Sequence, residues 1–503
     1  MNGKNKKEKN KILQLINFLI IIYNYIIMSS ELLDLNYISY NTPNVLCAAK
    51  ATKKLQIAAN PNRYDACIGG EAIPIVMHKL PDCCYIDGSK SNISLKLRVS
   101  VPAGALMFCY AFDSLSTDVN NSGATIINLF SQVVHETNNS QILYRENFIN
   151  QLQTVREYRI SKERKQFLSC VGGVAGDATG VAGDAQERPL YGCNRDISFN
   201  IPLYLIAPFW NTAQLIPSRL LNESILTLIV NNPLLSLYPV GSNGVDNVPF
   251  PINNGLTVSF SNIALNLYQS ELYDGINSAI KSSELHFPYY CYNNDIYIPN
   301  SPSFTYNINV ACSKLSYVAL KFVRKSEPTN SPIRCADVRN LGAYMNAGNE
   351  SRAMDTNGLA ITIQARVGGM VFPTYPITNA VDAYIHTVEA LNPISYNNTE
   401  MPDPMKCQNM LMPGNVAYTD YNYSKRTGDI TQPLNGTSNG GVIFAINLEK
   451  SNIVGLSGIS TNGGRVLTIE INGLTNYADL VLYSQVKYMS IASINENNII
   501  ISK

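Results

Sequence analysis

Charge is scarce in this chain. Only 15% of its 503 residues are Asp, Glu, Lys or Arg, and 38 basic against 37 acidic residues leave a formal net charge of +1. Globular chains average about 25% charged residues, and a free monomer relies on surface charge to stay dispersed. The deficit points to a surface that meets other protein. No acidic or basic tail stands out beyond the first ten residues, so the electrostatic footprint of a dedicated nucleic-acid binder is missing. Histidine is scarcer still. His78, His135, His286 and His386 show neither H-E-x-x-H nor H-x-H spacing, so a metal site would need ligands from distant loops. There is no G-x-S-x-G elbow for a serine hydrolase. Among eleven cysteines no C-x-x-C pair occurs, and adjacent Cys83 and Cys84 cannot start a zinc ribbon. That odd number, spread from Cys47 to Cys407, reads as the free thiols of an intracellular protein. Asp and Glu are scattered, so no pair singles itself out for glycosidase chemistry. No residue is assigned a catalytic, cofactor-binding or metal role.

Three further features carry no chemistry on this reading. The stretch Gly172–Ala185 resembles a phosphate loop but lacks its G-K-[ST] ending and any βαβ context. It repeats G-V-A-G-D-A twice, as a duplicated exposed loop of small residues would. Sequons such as Asn92-Ile-Ser and Asn222-Glu-Ser arise by chance in an Asn-rich chain. Thirty tyrosines beside the single Trp210 suit packing and interfaces.

The start of the chain has a basic head and a 16-residue apolar run, Ile12–Ile27. Three readings stay open. A membrane helix needs about 20 apolar residues, and this run is broken by Gln14, Asn17 and Asn24. A secretory signal fits the charge order, but no A-x-A-like cleavage site follows. Residues 1–29 can also be an extension outside the mature protein, with translation beginning at Met28.

From about residue 90 the dominant signal is period-2 alternation, the mark of half-buried strands. Ile93, Leu95, Leu97 and Val99 alternate with polar residues, as do Ile197, Phe199 and Ile201. The phase slips between Phe260 and Ile263, which predicts a bulge at Ser261–Asn262. Phe304–Val310, Leu359–Val367 and Leu467–Ile471 continue the pattern. Asn147–Cys170 reads as the one good helix, with a second short one near Leu215–Leu221 opened by Pro217. So many strands exceed one sandwich. The Tyr-, Asn- and Ser-rich stretch Ser270–Asn300 is the expected break, giving halves 30–270 and 285–503 around a linker at 271–284.

Four stretches then carry a resemblance. Ser122–Phe130, Gln141–Ile149 and the helix Leu152–Arg164 form the first. Phe199–Leu205 with Pro208-Phe-Trp, Leu215-Ile-Pro and the strand Ile225–Val230 form the second. The strand Leu315–Lys325 is the third. Gly441–Glu449, Ser457–Ser460, Leu480–Met489 and Asn498–Ile501 are the fourth. In order and spacing, across most of residues 90–500, these resemble the major capsid proteins of polinton-like viruses, adintoviruses and virophages, of the adenovirus hexon lineage. The T-F-F-K element of the giant-virus branch is missing. The resemblance implies an all-β fold of two tandem eight-stranded jelly rolls with long loop insertions. It implies a homotrimeric, pseudo-hexameric capsomer that tiles an icosahedral virion shell around double-stranded DNA, assembled inside the host cell. The partners would be other copies of the chain and penton or minor capsid proteins. No enzyme activity, cofactor, small-molecule substrate or specific nucleic-acid recognition is expected. A secreted β-sandwich adhesin or lectin is the alternative, and a β-sandwich glycosidase a third reading.

Overall fold

The computed structural model describes residues 49–81, 84–101, 105–110, 126–150, 152, 191–212, 215–241, 256–273, 285–324, 362–378, 380–391, 443–449, 458–474, 477–494 and 499–502. The apolar segment Ile12–Ile27, the glycine repeat Gly172–Ala185 and nearly all of the helix expected over Asn147–Cys170 lie outside them.

Two groups of antiparallel sheets follow one another along the chain. The first is built from β1 (Ala49–Ala58), β2 (Arg63–Cys67), β3 (Ala72–Val76), β4 (Cys84–Ser100), β5 (Ala105–Tyr110), β6 (Phe130–Glu136), β7 (Ile142–Asn147), β8 (Tyr191–Gly192), β9 (Asp196–Pro202), β10 (Ile216–Pro217), β11 (Ile225–Val230), β12 (Leu237–Gly241) and β13 (Thr257–Leu272). One sheet runs β1-β13-β4-β10, with β2 also on β13 and β9 on β4. A second runs β3-β11-β6-β7, and a small third one β12-β5-β8. The second group holds β14 (Leu285–Tyr297), β15 (Phe304–Ile308), β16 (Leu315–Arg324), β17 (Thr362–Val367), β18 (Met370–Ile377), β19 (Ile443–Asn447), β20 (Leu467–Asn472), β21 (Leu480–Ile494) and β22 (Ile499–Ser502). Its sheets run β14-β21-β16-β19, with β22 on β21, and β15-β20-β17-β18. No strand of one group pairs with a strand of the other among the described residues.

The alternation does what period 2 requires. Ile93, Leu95, Leu97 and Val99 turn inward from β4, and Ile197, Phe199 and Ile201 from β9; all are buried. Across the first sandwich Phe130 of β6 stacks on Phe260 of β13 at 5.5 Å, which ties the two facing sheets together. In β13 the register against β4 slips between Ser261 and Ala264. Asn262 takes a positive φ of 52° there, a conformation Asn tolerates better than most residues. The bulge expected at Ser261–Asn262 is where the strand re-aims its apolar face. In the second sandwich Ile308, Ile469 and Ile363 of one sheet and Leu320, Leu482 and Phe444 of the other are all completely buried.

Several expectations need correction. The expected break Ser270–Asn300 carries strand at both of its ends. Strand β13 continues through Leu272, and β14 occupies Leu285–Tyr297. Its tyrosines are good strand formers, and Pro288 is tolerated because β14 is the edge of its sheet. Asn147 ends a strand rather than starting a helix. Near Leu215–Leu221 the chain first makes the short β10, and only Ser218–Leu221 is helical, directly after Pro217. A 12-residue helix at Ala380–Leu391 had no expectation attached. It covers β19, whose Ala445 amide donates to the Thr387 hydroxyl at 3.1 Å. Residues 49–76 supply three strands that the alternation missed, because β1 carries Lys50, Lys53 and Lys54. Those lysines fit an edge strand, where charge discourages pairing with another chain.

Candidate functional site

A buried polar and aromatic network lies where the two groups of sheets meet. Its centre is a single turn. Pro208 disfavours continuation of the helix Leu203–Ile206 through Ala207 and starts the 3-10 turn Pro208–Trp210. Phe209 and Trp210 on this turn are both completely buried. The Trp210 indole Nε1 donates to the Tyr144 hydroxyl at 2.7 Å. Its ring stacks on His135, centroids 5.8 Å apart and planes 9° apart. Phe209 points the other way and meets Phe287 at 6.0 Å and Tyr289 at 5.2 Å, both in β14. It also touches Tyr144 and His135. One two-residue wedge therefore packs against both sandwiches.

Beside the wedge, β7 is the outer edge of its sheet and presents unpaired carbonyls. Side chains of β14 satisfy them. The Tyr289 hydroxyl donates to Leu143 O at 3.0 Å, with the Cys291 thiol at 3.7 Å from the same oxygen. Asn294 Nδ2 donates to Asn147 O at 2.7 Å. Covering an edge in this way removes a template for unwanted strand addition. Phe148, just past β7, adopts a left-handed φ of 53°, at a cost of about 1–2 kcal/mol. Its ring contacts Tyr483 of β21 at 5.4 Å. Burial pushes the Tyr289, Tyr144 and Tyr488 phenols above their usual range, so all three are neutral hydrogen-bonding groups at physiological pH. Tyr289→Phe should leave the buried Leu143 carbonyl with only a weak thiol donor and cost roughly 1–3 kcal/mol. A lowered urea midpoint at unchanged slope would register it; an unchanged midpoint would show that the bond contributes nothing.

The four histidines are dispersed. His78 is exposed, His286 Nδ1 lies 2.9 Å from the Ser493 hydroxyl, and His386 Nδ1 is 3.6 Å from Glu389. His135 is completely buried, with Nε2 2.9 Å from Ser224 Oγ. This pair resembles a nucleophile and its base but is wired the wrong way. With Ser224 Oγ donating to Leu221 O at 2.8 Å, the hydroxyl accepts from Nε2–H, the tautomer in which the imidazole does not take the serine's proton. His135 Nδ1 has no hydrogen-bond partner among the described residues. Burial lowers the imidazole pKa to about 3. Among the described residues no three His, Cys, Asp or Glu side chains gather as metal ligands do, and no helix is long and apolar enough to cross a membrane. Cys67 and Cys193 are free thiols. Burial pushes Cys67 up to about 11 and Cys193 to about 12, far from a reactive thiolate. Sequence reasoning missed the junction entirely, although Trp210 and its neighbours were noted; its contacts join residues some 146 positions apart.

No family model matches the chain, and no curated protein matches it. Solved structures do. The chain is similar to the Faustovirus major capsid protein, with a TM-score of 0.54 at 10% identity, covering 91% of this chain and 92% of that one. It is similar to a chain of the Sputnik virophage, with a TM-score of 0.53 at 11% identity, covering 93% and 91%. It is also similar to the PBCV-1 virus capsid, with a TM-score of 0.51 at 11% identity, covering 90% and 96%. At such identities the likeness establishes the fold. This chain is an all-β double jelly roll of the kind found in viral capsid proteins.

Proposed function

We propose that the chain is a viral major capsid protein that acts by assembly and not by catalysis. The observation that carries this reading is the fold likeness to capsid proteins over about nine tenths of both chains. In this reading one jelly roll ends at Leu272 and the other begins at Leu285. Two rolls side by side make a brick-like subunit, and three subunits give six rolls and a pseudo-hexagonal outline. Such an outline can tile an icosahedral virion shell around double-stranded DNA through repeated contacts, with penton or minor capsid proteins at positions the trimer cannot fill. The low charge content suits a subunit most of whose surface is covered. Roles for a cofactor, a small-molecule substrate or sequence-specific nucleic-acid binding form no part of the proposal.

An assembling shell needs a firm building block and weaker contacts between blocks. Obligate interfaces bury more than roughly 2,000 Å² and are comparatively apolar, whereas reversible ones are smaller and wetter. Light scattering on the full chain should therefore give three times the 55.4 kDa chain mass, and that mass should persist on dilution, with hexagonal particles or shells in the electron microscope. A clean monomer at micromolar concentration that forms no shells would overturn the proposal and return the secreted adhesin reading.

A further inference from the structure

We propose that His135 is an acid-sensitive latch: protonation of its buried Nδ1 loosens the Pro208–Trp210 wedge and opens the junction between β7 and β14. This property goes beyond capsid assembly and holds for the isolated subunit whether or not it builds a shell.

The geometry carries the argument. Among the described residues His135 has one polar contact, Nε2 to Ser224 Oγ at 2.9 Å. With Ser224 Oγ donating onward to Leu221 O, Nε2 carries the proton and Nδ1 the free lone pair. A second proton can go only to Nδ1. There it finds no acceptor among the described residues, and the ring is walled by Trp210, Tyr144 and Phe209 at centroid distances of 5.3 to 5.9 Å. A buried, unpaired cation is untenable. The structure can admit water to Nδ1 only by moving those rings. One of them, Phe209, makes the ring contacts to Phe287 and Tyr289 of β14, and Tyr144 of β7 packs against it.

Titratable neighbours on each packed element are few. From β7 they are Tyr144, directly across from His135, and Glu146, one pair further along on the same face. From β14 they are Tyr289 and Cys291, reached through Phe209 and the Leu143 carbonyl. Ser224 and Met77 complete the shell on the β11 and β3 side. Among the described residues no ion pair compensates a charge on His135, and burial lowers its pKa. Because the folded pKa lies below the free value of about 6.5, the closed junction is fully stable above pH 6.5 and loses ground as the pH falls toward about 3. The opened junction binds the proton, and the closed one does not.

The equilibrium constant for opening should rise about tenfold for each pH unit below 6.5, or about a hundredfold at pH 4.5. Trp210 is the only tryptophan in the chain and stacks on His135, so its emission reports the event directly. With the full chain, the expected result is quenching and a red shift of Trp210 emission between pH 6.5 and 4.5 that is absent in His135→Gln. Equal acid responses in both proteins would assign the sensitivity to carboxylates elsewhere and overturn the proposal. So would constant wild-type emission down to pH 4.5. Should His135→Gln fail to fold, hydrogen exchange on the wild type decides. The latch requires amides of β7 and β14 to lose protection at a higher pH than those of β17 and β20, and simultaneous loss everywhere would refute it.

Discussion

Phe209→Ala is expected to lower the unfolding free energy by about 3–5 kcal/mol, the range for emptying a fully buried aromatic site. Phe209 is completely buried, and its ring meets five others: His135, Tyr144, Trp210, Phe287 and Tyr289. Collapse into the vacated space is blocked on both sides. On one side Trp210 is held by its bond to Tyr144; on the other Tyr289 is held by its bond to Leu143 O. The cavity should therefore persist and the cost lie toward the upper end. The loss should also be shared. Phe287→Ala alone removes the same pair contact from the β14 side, and the double variant should lose about 0.5–1.5 kcal/mol less than the sum of the singles. Guanidinium titrations of the four proteins provide the test. A single-site cost below 1 kcal/mol would mean that the wedge is not a packed element and that the junction rests on something else.

Much of the fold was readable from residue order because each sandwich has one wet and one dry face per strand. Strands β4, β9, β15 and β20 alternate cleanly for that reason, and the slip at Ser261–Asn262 shows as a change of phase. Where both faces are covered, the signal fades. Strand β21 buries Leu480 through Val486 without interruption, Ser484 and Gln485 included, so no alternation shows there. Strand β14 fails differently. Its inward Phe287, Tyr289 and Cys291 are buried, but Pro288 among them and Asn293-Asn294-Asp295 after them imitate a loop. The helix Ala380–Leu391 is short enough for its period to be lost among neighbouring loops. The junction left little local signal, since pairs such as Leu143 with Tyr289 and His135 with Ser224 meet only after the chain has folded. The lone Trp210 was the one visible clue, and its value came from rarity rather than from spacing.

Gly88→Val is expected to be among the most damaging single changes, through backbone crowding and not through lost conformational freedom. A Cβ at Gly88 would lie 2.5 Å from the carbonyl oxygen of Trp210 and 3.1 Å from its Cα. Those are main-chain atoms, so no side-chain rotation relieves the clash. The site is also held from below. Between Asp87, opposite Tyr268, and Asn92, opposite Asn266, β4 carries extra residues relative to β13. Asp87 fixes that excursion by accepting from the Ser89 amide at 3.1 Å and the Ser89 hydroxyl at 2.6 Å, while Ser91 Oγ donates back to Asp87 O at 2.7 Å. The bulge and the Pro208–Trp210 turn fit against each other with only a hydrogen's width at Gly88. Overpacking a tight site usually costs about 1–3 kcal/mol, which is the expectation for Gly88→Ala, and the extra methyl groups of valine should raise it further. Thermal melts give the cost. Because Trp210 must be displaced, its emission should shift at neutral pH in the valine variant, a change otherwise expected only on acidification. Wild-type stability with unaltered emission would show that the turn moves aside freely. A turn that loose could not hold Trp210 against His135, and neither the cavity expected at Phe209 nor the acid latch would then have a rigid support.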